Sequence, residues 1–507
     1  MSVEVLTKDR RTIGPFMFST WLLVVFIMVG ILLTITHIDY PIVRNSLIYA
    51  GIVDAISEYG LLSEGLSEQA HEKSLGFSIL AWPLVQLMGL STGLKTLSVL
   101  TTALWGFACL NLFRRVAGHS EEIVCLGLVL TLFNPLAIYQ FSSAYPDTLL
   151  AALILFGLTY MDRVLSEDAR TGDGLVWVAA LIGAIWIKHH GFVLIAFAVV
   201  FLFLRHRVVA RQWRENRPLF WSWVLPLAFA LGVILLARQG QVPTFNLARD
   251  HNSFLRGFSL YQVVREGLQG WLAYMLLTFS VLLALPLVTP FWRHIRSIKP
   301  DWFLAATIFV VTLLVYNGTG YNMRYFLAIA PFFAWTISIL FFDLSRAGKI
   351  LWLSVFLAFN LGTTLFYNVP SFHRLVYKYA PLPFVDNLRL TAQQFAEQNN
   401  LRLIRRHAAS HDNTVIFLSR YYGDGSFGVW QKTGDLSAGL NIHYAKYWKH
   451  EMIEQLGLKR AVIYEYVATG PERNYLWLDT EIQQNLTKLN NRIYLLDLDH
   501  MAGGSGQ

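Results

Sequence analysis

Two aspartates stand directly beyond long apolar segments of the chain. Asp39 follows the apolar residues 15–36, and Asp147 follows Tyr145-Pro146 between two later apolar segments. A carboxylate near hydrocarbon is costly, by about 3 kcal/mol at the centre of a membrane span and less towards its end. Asp39 therefore fits a general base that takes a proton from a hydroxyl group. Helix capping is the alternative for both aspartates, and for Asp147 capping and catalysis do not exclude each other.

Cationic side chains form the second group of candidates. Lys73 follows Glu72 just before an apolar segment, and Lys188 stands beside two histidines inside an apolar hairpin. Cations at such positions bind phosphate oxygens and neutralise the charge on a leaving group. The alternatives are an ion pair at a helix start with a solvated lysine for Glu72-Lys73, a tight turn with snorkelling side chains for Lys188, and an interfacial anchor for Arg324. The candidate phosphate-binding residues are Lys73, Lys188, Arg324 and the neutral Tyr325 beside it, and the histidines His189 and His190 are further candidates.

Two residues are candidate ligands of a divalent metal ion. They are Glu72, which precedes Lys73, and His251, which lies in the segment Arg249-Asp-His251. A carboxylate and an imidazole are suitable donors for such an ion. Their loose spacing leaves open whether a metal ion is needed.

The composition is that of an integral membrane protein. The chain has 507 residues, of which 55% are hydrophobic and only 15% are charged, whereas about 25% are charged in soluble domains. Its net charge of +8 is concentrated in short loops between apolar segments, as the positive-inside rule describes. We therefore expect membrane lipids, and no nucleic acid, among its partners.

The basic clusters predict the topology. Lys8, Arg10 and Arg11 precede the first apolar segment and place the N-terminus in the cytoplasm. Arg114-Arg115 marks the next cytoplasmic end, so residues 75–90 are predicted to lie in the outer interface rather than to cross, and the five-arginine loop 205–217 is also cytoplasmic. About eleven spans follow, at residues 15–36, 95–113, 122–141, 148–165, 174–187, 190–204, 219–237, 270–289, 301–316, 324–342 and 350–368.

Three segments are predicted outside the membrane. Residues 37–94 and 239–269 form long outer loops of the membrane domain, which covers residues 1–369. Residues 370–500 carry more charge and short apolar runs typical of strands, at 414–419, 460–466 and 492–498, with helices at 386–408 and 446–457. This pattern predicts a small extracytoplasmic α/β domain, followed by a flexible tail at 501–507.

The order of these features resembles the GT-C class of integral-membrane glycosyltransferases, within it the branch of protein O-mannosyltransferases and lipid A aminoarabinose transferases. The resemblance covers about residues 15–345 through topology and scattered motifs. It gives Asp39 the place of the first-loop catalytic aspartate and Asp147 that of the second-loop acid. Glu72-Lys73 matches a Glu-Lys-Pro element that contacts donor phosphate and a metal ion, although Ser74 replaces the proline. Arg324-Tyr325 matches an Arg-Tyr pair that opens a late span.

The resemblance implies a reaction and a place in the cell. A sugar linked to polyprenyl phosphate would be transferred to a hydroxyl of a glycan, lipid or protein, with inversion at the anomeric carbon. The phosphate would lie near Lys73, Lys188 and Arg324. The bacterial inner membrane is the expected location, with the C-terminal domain in the periplasm.

Three other functions stay open at this point. A flippase or other transporter would place charges at the membrane midplane in paired halves, but the polar groups of this chain cluster at one mouth. A ligase that transfers a whole glycan from polyprenyl pyrophosphate would use a similar donor. A non-catalytic membrane scaffold is the third alternative.

Overall fold

The structure is a computed structural model. It describes residues 15–39, 41–42, 45–60, 75–116, 120–167, 169–188, 191, 193–238, 327–342, 344–368, 390–418, 430–431, 439–445, 456–465, 486–489 and 492–498.

The described part of the membrane region is helical, as the apolar segments predict. Its helices are α1 (Pro15–Thr36), α2 (Asn45–Tyr59), α3 (Gly76–Met88), α4 (Leu90–Val116), α5 (Glu121–Leu132), α6 (Pro135–Tyr139), α7 (Asp147–Val164), α8 (Thr171–Ile187), α9 (Val193–Leu204), α10 (His206–Glu215), α11 (Arg217–Arg238), α12 (Ala330–Phe342) and α13 (Arg346–Asn368). The predicted spans at 270–289 and 301–316 lie outside the described residues.

Two of the described helices are long and apolar enough to cross a membrane. They are Phe18–Thr36 within α1 and Leu90–Val116, and the bent pair α9–α10 makes a third if it is taken as one span. Three shorter apolar helices are Gly76–Met88, Thr171–Ile187 and Ala330–Phe341. α3 has 13 residues, or about 20 Å at 1.5 Å per residue, which is less than the hydrocarbon thickness. The total of about eleven spans stays a prediction.

Two local features differ from the sequence prediction. The apolar segment 122–141 is broken after α5, because the Asn134 side chain accepts a hydrogen bond from the Ala137 N–H (3.0 Å) and starts a new helix with Pro135 in its first turn. Residues 206–215, expected to be part of a loop, form the amphipathic helix α10. Charge density alone suggested a loop there, but valine and tryptophan recur on one helical face.

Contacts divide the chain into two compact units. The first comprises residues 1–37, 74–77 and 95–389, and the second comprises 38–73, 78–94 and 390–507. In the first unit, α7 packs along α8, α8 along α11, and α5 against both α1 and α12. Gly30 permits close packing of α1, since a Cβ there would lie 2.3 Å from the Phe141 ring.

The described residues of the second unit include a five-stranded sheet. Its strands are β1 (Thr414–Leu418), β2 (Asn441–Ala445), β3 (Arg460–Glu465), β4 (Leu486–Lys488) and β5 (Ile493–Asp497). The spatial order is β2-β1-β3-β5-β4, with β2, β1 and β3 parallel and β5 antiparallel to both β3 and β4. The three predicted strands are confirmed, whereas the short strands β2 and β4 were not predicted. The predicted helix at 386–408 is observed as α14 (Leu390–Ala408), and most of the one at 446–457 lies outside the described residues.

A buried carboxylate joins α14 to this sheet. Glu397 is 1% exposed and accepts hydrogen bonds from the Trp430 indole N–H (2.7 Å) and the Tyr464 hydroxyl. Trp430 stacks on Tyr464 and contacts Phe417 of β1. Burial raises the pKa of the Glu397 carboxyl above its ordinary value, although the hydrogen bonds from Tyr464 and Trp430 and the charge of Arg492 oppose that rise.

This pKa shift predicts a pH dependence for the stability of the sheet. An acid whose pKa is higher in the folded state binds its proton more tightly there, so the folded state is most stable below the unfolded pKa of about 4.3. We expect the opening free energy of β1 and β3 to fall as the pH rises from that value through the folded pKa, and then to level off. Glu397→Gln should remove this pH dependence of the opening free energy.

Hydrogen exchange measures this opening free energy. It is followed in the β1 and β3 peptides of the full-length protein between pH 4 and pH 8. The same pH dependence in Glu397→Gln would show that another group is responsible.

Candidate active site

A buried ion pair links the beginning of α7 to the end of α8. The Lys188 ammonium donates a hydrogen bond to Asp147 Oδ1 over 2.8 Å, and the two residues are 8% and 3% exposed. Both residues were singled out from the sequence, but their pairing was not predicted. Removing one partner of a buried pair is strongly destabilising, so the two charges hold each other in place.

The turn after α8 sets the position of Lys188. Lys188 is extended (φ −164°, ψ 142°) and its N–H still donates to the Ala184 carbonyl, so the helix ends while the side chain turns towards α7. The Gly191 N–H closes the turn on the Lys188 carbonyl (2.8 Å). A Cβ at Gly191 would lie 2.2 Å from the carbonyl carbon of Ala184, so only glycine fits here.

The entry into α7 sets the position of Asp147. Ala144, three residues earlier, has a φ of +51°, a left-handed conformation that costs a non-glycine residue about 1 kcal/mol. Asp147 stands in the first turn of α7, where the helix dipole favours a negative charge. The next residue, Thr148, bonds through its hydroxyl to Thr101 of α4 over 3.1 Å.

A second buried lysine lies at the same end of the first unit. Lys95 of α4 is fully buried and donates to the main-chain carbonyl of His37 over 2.8 Å. His37 follows the last residue of α1, so this bond fixes the end of α1 against α4. The sequence contained a signal for Lys95, namely a lysine at the start of a predicted span, but it was assigned no role.

Asp39 follows His37 by two residues in the sequence and belongs to the second unit. It is exposed, in the turn 37–39 that follows α1. The remaining candidates lie outside the described residues, so their predicted roles stay predictions: Glu72, Lys73, His189, His190, His251, Arg324 and Tyr325.

The described residues contain no metal centre. No group of three His, Cys, Asp or Glu side chains there is arranged to hold a metal ion. The predicted ligands Glu72 and His251 are not among the described residues, so metal dependence stays a prediction.

The electrostatics at this end favour an anionic ligand. Its buried charged side chains in the first unit, among the residues described, are the ammonium groups of Lys95 and Lys188 and the carboxylate of Asp147. Interactions of such groups are strong because little water screens them. A phosphate oxygen is a natural partner for Lys188, and Asp147 can then orient the ammonium group without binding the ligand itself.

The fold is similar to that of ArnT from Cupriavidus metallidurans. The structure of ArnT bound to undecaprenyl phosphate matches with a TM-score of 0.56 at 15% identity, over 94% of this chain and 98% of that chain. The apo structure of ArnT matches with a TM-score of 0.55 at 14% identity over the same shares. The chain has a GT-C fold.

A second likeness is weaker. The archaeal oligosaccharyltransferase AglB from Archaeoglobus fulgidus, in complex with an inhibitory peptide and a dolichol-phosphate, matches with a TM-score of 0.48 at 12% identity, over 89% of this chain and 70% of that chain. No protein-family model matches the sequence, and no curated protein matches it. The GT-C resemblance predicted from scattered motifs is thus confirmed at the level of the fold.

Proposed function

We propose that this chain is a membrane glycosyltransferase that moves a single sugar from a polyprenyl-phosphate donor to a hydroxyl group. The observation that carries the proposal is the buried Lys188–Asp147 pair at the end of apolar helices with a GT-C fold. A buried ammonium suits a phosphate leaving group. The ArnT structure with undecaprenyl phosphate supports a polyprenyl-phosphate donor.

In the proposed reaction, the polyprenyl tail lies between spans and its phosphate contacts Lys188, with Lys73, Arg324 and Tyr325 as further contacts. Asp39 takes the proton from the acceptor hydroxyl, whose oxygen attacks the anomeric carbon from the face opposite the phosphate. The bond between that carbon and the phosphate oxygen breaks as the new C–O bond forms. Polyprenyl phosphate leaves with the bonding electrons, and the anomeric carbon is inverted.

Asp147 and Lys95 act as positioning residues in this proposal. Asp147 orients the Lys188 ammonium through the 2.8 Å contact. Lys95 fixes the His37 carbonyl at the end of α1. A divalent metal ion, which Glu72 and His251 would hold, would aid the departure of the phosphate in this proposal.

Replacement of the proposed base tests this function. Asp39→Asn should lower sugar transfer by about 10²- to 10⁴-fold, which is the usual contribution of general base catalysis. Radiolabelled polyprenyl-phosphate sugars are incubated with the purified full-length protein and a crude envelope extract, and label in the extract is counted.

Asp412→Asn is the matched control, since Asp412 is also exposed and its φ of +56° suits asparagine. Transfer that survives in Asp39→Asn would remove Asp39 as the base. Absence of transfer in the wild type with every donor would count against the transferase.

A further inference from the structure

A cavity rich in arginine lies at the opposite end of the same helices. It has a volume of about 400 Å³ and lies where α4 and α7 end and α8 begins. Along α7, Asp147 and Asp162 are separated by about 22 Å at 1.5 Å per residue, so this cavity is far from the proposed active site. We call it the arginine pocket; it is lined by Arg114, Arg115, Arg163, Ser166, Arg170 and Asp173.

The arginine pocket carries an excess of positive charge. Its described lining contains four guanidinium groups and one carboxylate, and that carboxylate, Asp173, accepts a hydrogen bond from the Arg170 N–H. Asp162, which is buried behind the lining, bonds Arg115 over 2.6 Å and Arg205 over 2.7 Å. The lining arginines outnumber the carboxylates even when Asp162 is included. Guanidinium groups bind phosphate oxygens through paired N–H donors, so a phosphate group is the ligand that this chemistry selects.

The neighbouring helix indicates the depth of the pocket. α10 is bent by 78° from α9, has arginines and a half-exposed Trp213, and is strongly amphipathic. Such a helix lies along a membrane surface at the level of the head groups. Gln212 of α10 donates to the Val164 carbonyl at the end of α7, and Arg205, the residue before α10, donates to the Leu165 carbonyl. The pocket, at that same end of α7, therefore lies at head-group depth.

We propose that the arginine pocket binds the phosphate of an anionic phospholipid head group from the leaflet on that side of the membrane. Free phosphate has the same chemistry, but a pocket at head-group depth meets lipid phosphates at a far higher local concentration. This site is independent of the proposed transfer reaction, because it lies at the other end of α7.

Binding of a short-chain phosphatidylglycerol to the purified full-length protein tests the proposal. Native mass spectrometry counts the bound lipid, and titration gives its affinity. The double variant Arg163→Gln/Arg170→Gln should weaken binding at least about tenfold, since two charge-assisted contacts are lost. The control Arg207→Gln/Arg214→Gln removes the same charge from exposed positions of α10 outside the lining and should bind as the wild type does.

Three further arms complete the test. Phosphatidylcholine with the same chains should bind more weakly, and glycerol phosphate and inorganic phosphate should compete only weakly with the lipid. The single variant Arg170→Gln, in an exposed residue whose N–H rather than side chain bonds Asp173, should keep the fold and still weaken binding. Equal lipid affinity in the wild type and the lining variants would overturn the proposed site. So would a loss of lipid affinity in the control Arg207→Gln/Arg214→Gln as large as that in the lining variants. Tight binding of inorganic phosphate alone would overturn the lipid assignment.

Discussion

Asp147→Asn is expected to abolish most sugar transfer and to destabilise the protein together. The substitution removes the carboxylate that the buried Lys188 ammonium contacts at 2.8 Å. Loss of one partner of a buried pair costs about 3–5 kcal/mol of unfolding free energy. We expect transfer to fall by about 10²- to 10³-fold, as for the loss of one preorganised electrostatic contact. Lys188→Met should behave similarly, since it leaves the Asp147 carboxylate buried after the ammonium group that contacts it has been removed.

The double variant Asp147→Asn/Lys188→Met separates the structural from the functional role of the pair. Because replacing a whole buried ion pair by neutral groups is often nearly neutral, its unfolding free energy should return to within about 1 kcal/mol of the wild type. Its transfer activity should stay low, because no ammonium remains to contact the phosphate. Denaturant unfolding in detergent and the transfer assay measure the two properties on the same preparations. Recovery of both stability and transfer in the double variant would show that the pair is only structural.

Gly191→Ala is expected to lower transfer by about 10²-fold although residue 191 itself carries no chemistry. The new Cβ would lie 2.2 Å from the carbonyl carbon of Ala184 and 2.4 Å from its oxygen, so the turn after α8 must shift. That turn holds Lys188 through the bond from the Gly191 N–H to the Lys188 carbonyl. A displacement of about 1 Å at a catalytic group is enough for a loss of this size.

Gly172→Ala is the matched control for this prediction. Gly172 lies near the start of α8, the helix that ends beside Lys188, and an added Cβ there meets nothing within 4 Å. Alanine should keep transfer unchanged and keep the unfolding free energy within about 0.5 kcal/mol of the wild type, as for most exposed substitutions. Wild-type transfer in Gly191→Ala would contradict the role of the turn.

Most of the membrane helices and three of the strands could be predicted from the sequence because their signals are local. The apolar residues 15–36 coincide with α1, and the run 414–418 forms the buried strand β1. Helix α10 was missed because the five arginines of residues 205–217 are typical of a loop. The spacing of its apolar residues, however, gives one apolar helical face. The strands β2 and β4 were missed because five and three residues give little pattern, and both are defined by pairing with distant strands.

The site was only partly predictable for a related reason. Asp147 and Lys188 were conspicuous as charged groups among apolar residues, but their contact joins positions 41 residues apart. Only the packing of α7 along α8 brings them together. Lys95 was overlooked because a lysine at a helix end usually snorkels to the surface, whereas here α4 buries it against the end of α1.

The fate of the donor phosphate tests the central claim most directly. Proteoliposomes with the full-length protein are given a doubly labelled polyprenyl-phosphate sugar and an envelope extract, and the lipid product is identified by mass spectrometry. The account predicts one polyprenyl phosphate released for each sugar transferred by the wild type, and release reduced by about 10²-fold or more in Asp147→Asn/Lys188→Met. Movement of the intact donor across the bilayer without cleavage, or cleavage that requires a pyrophosphate-linked donor, would contradict it.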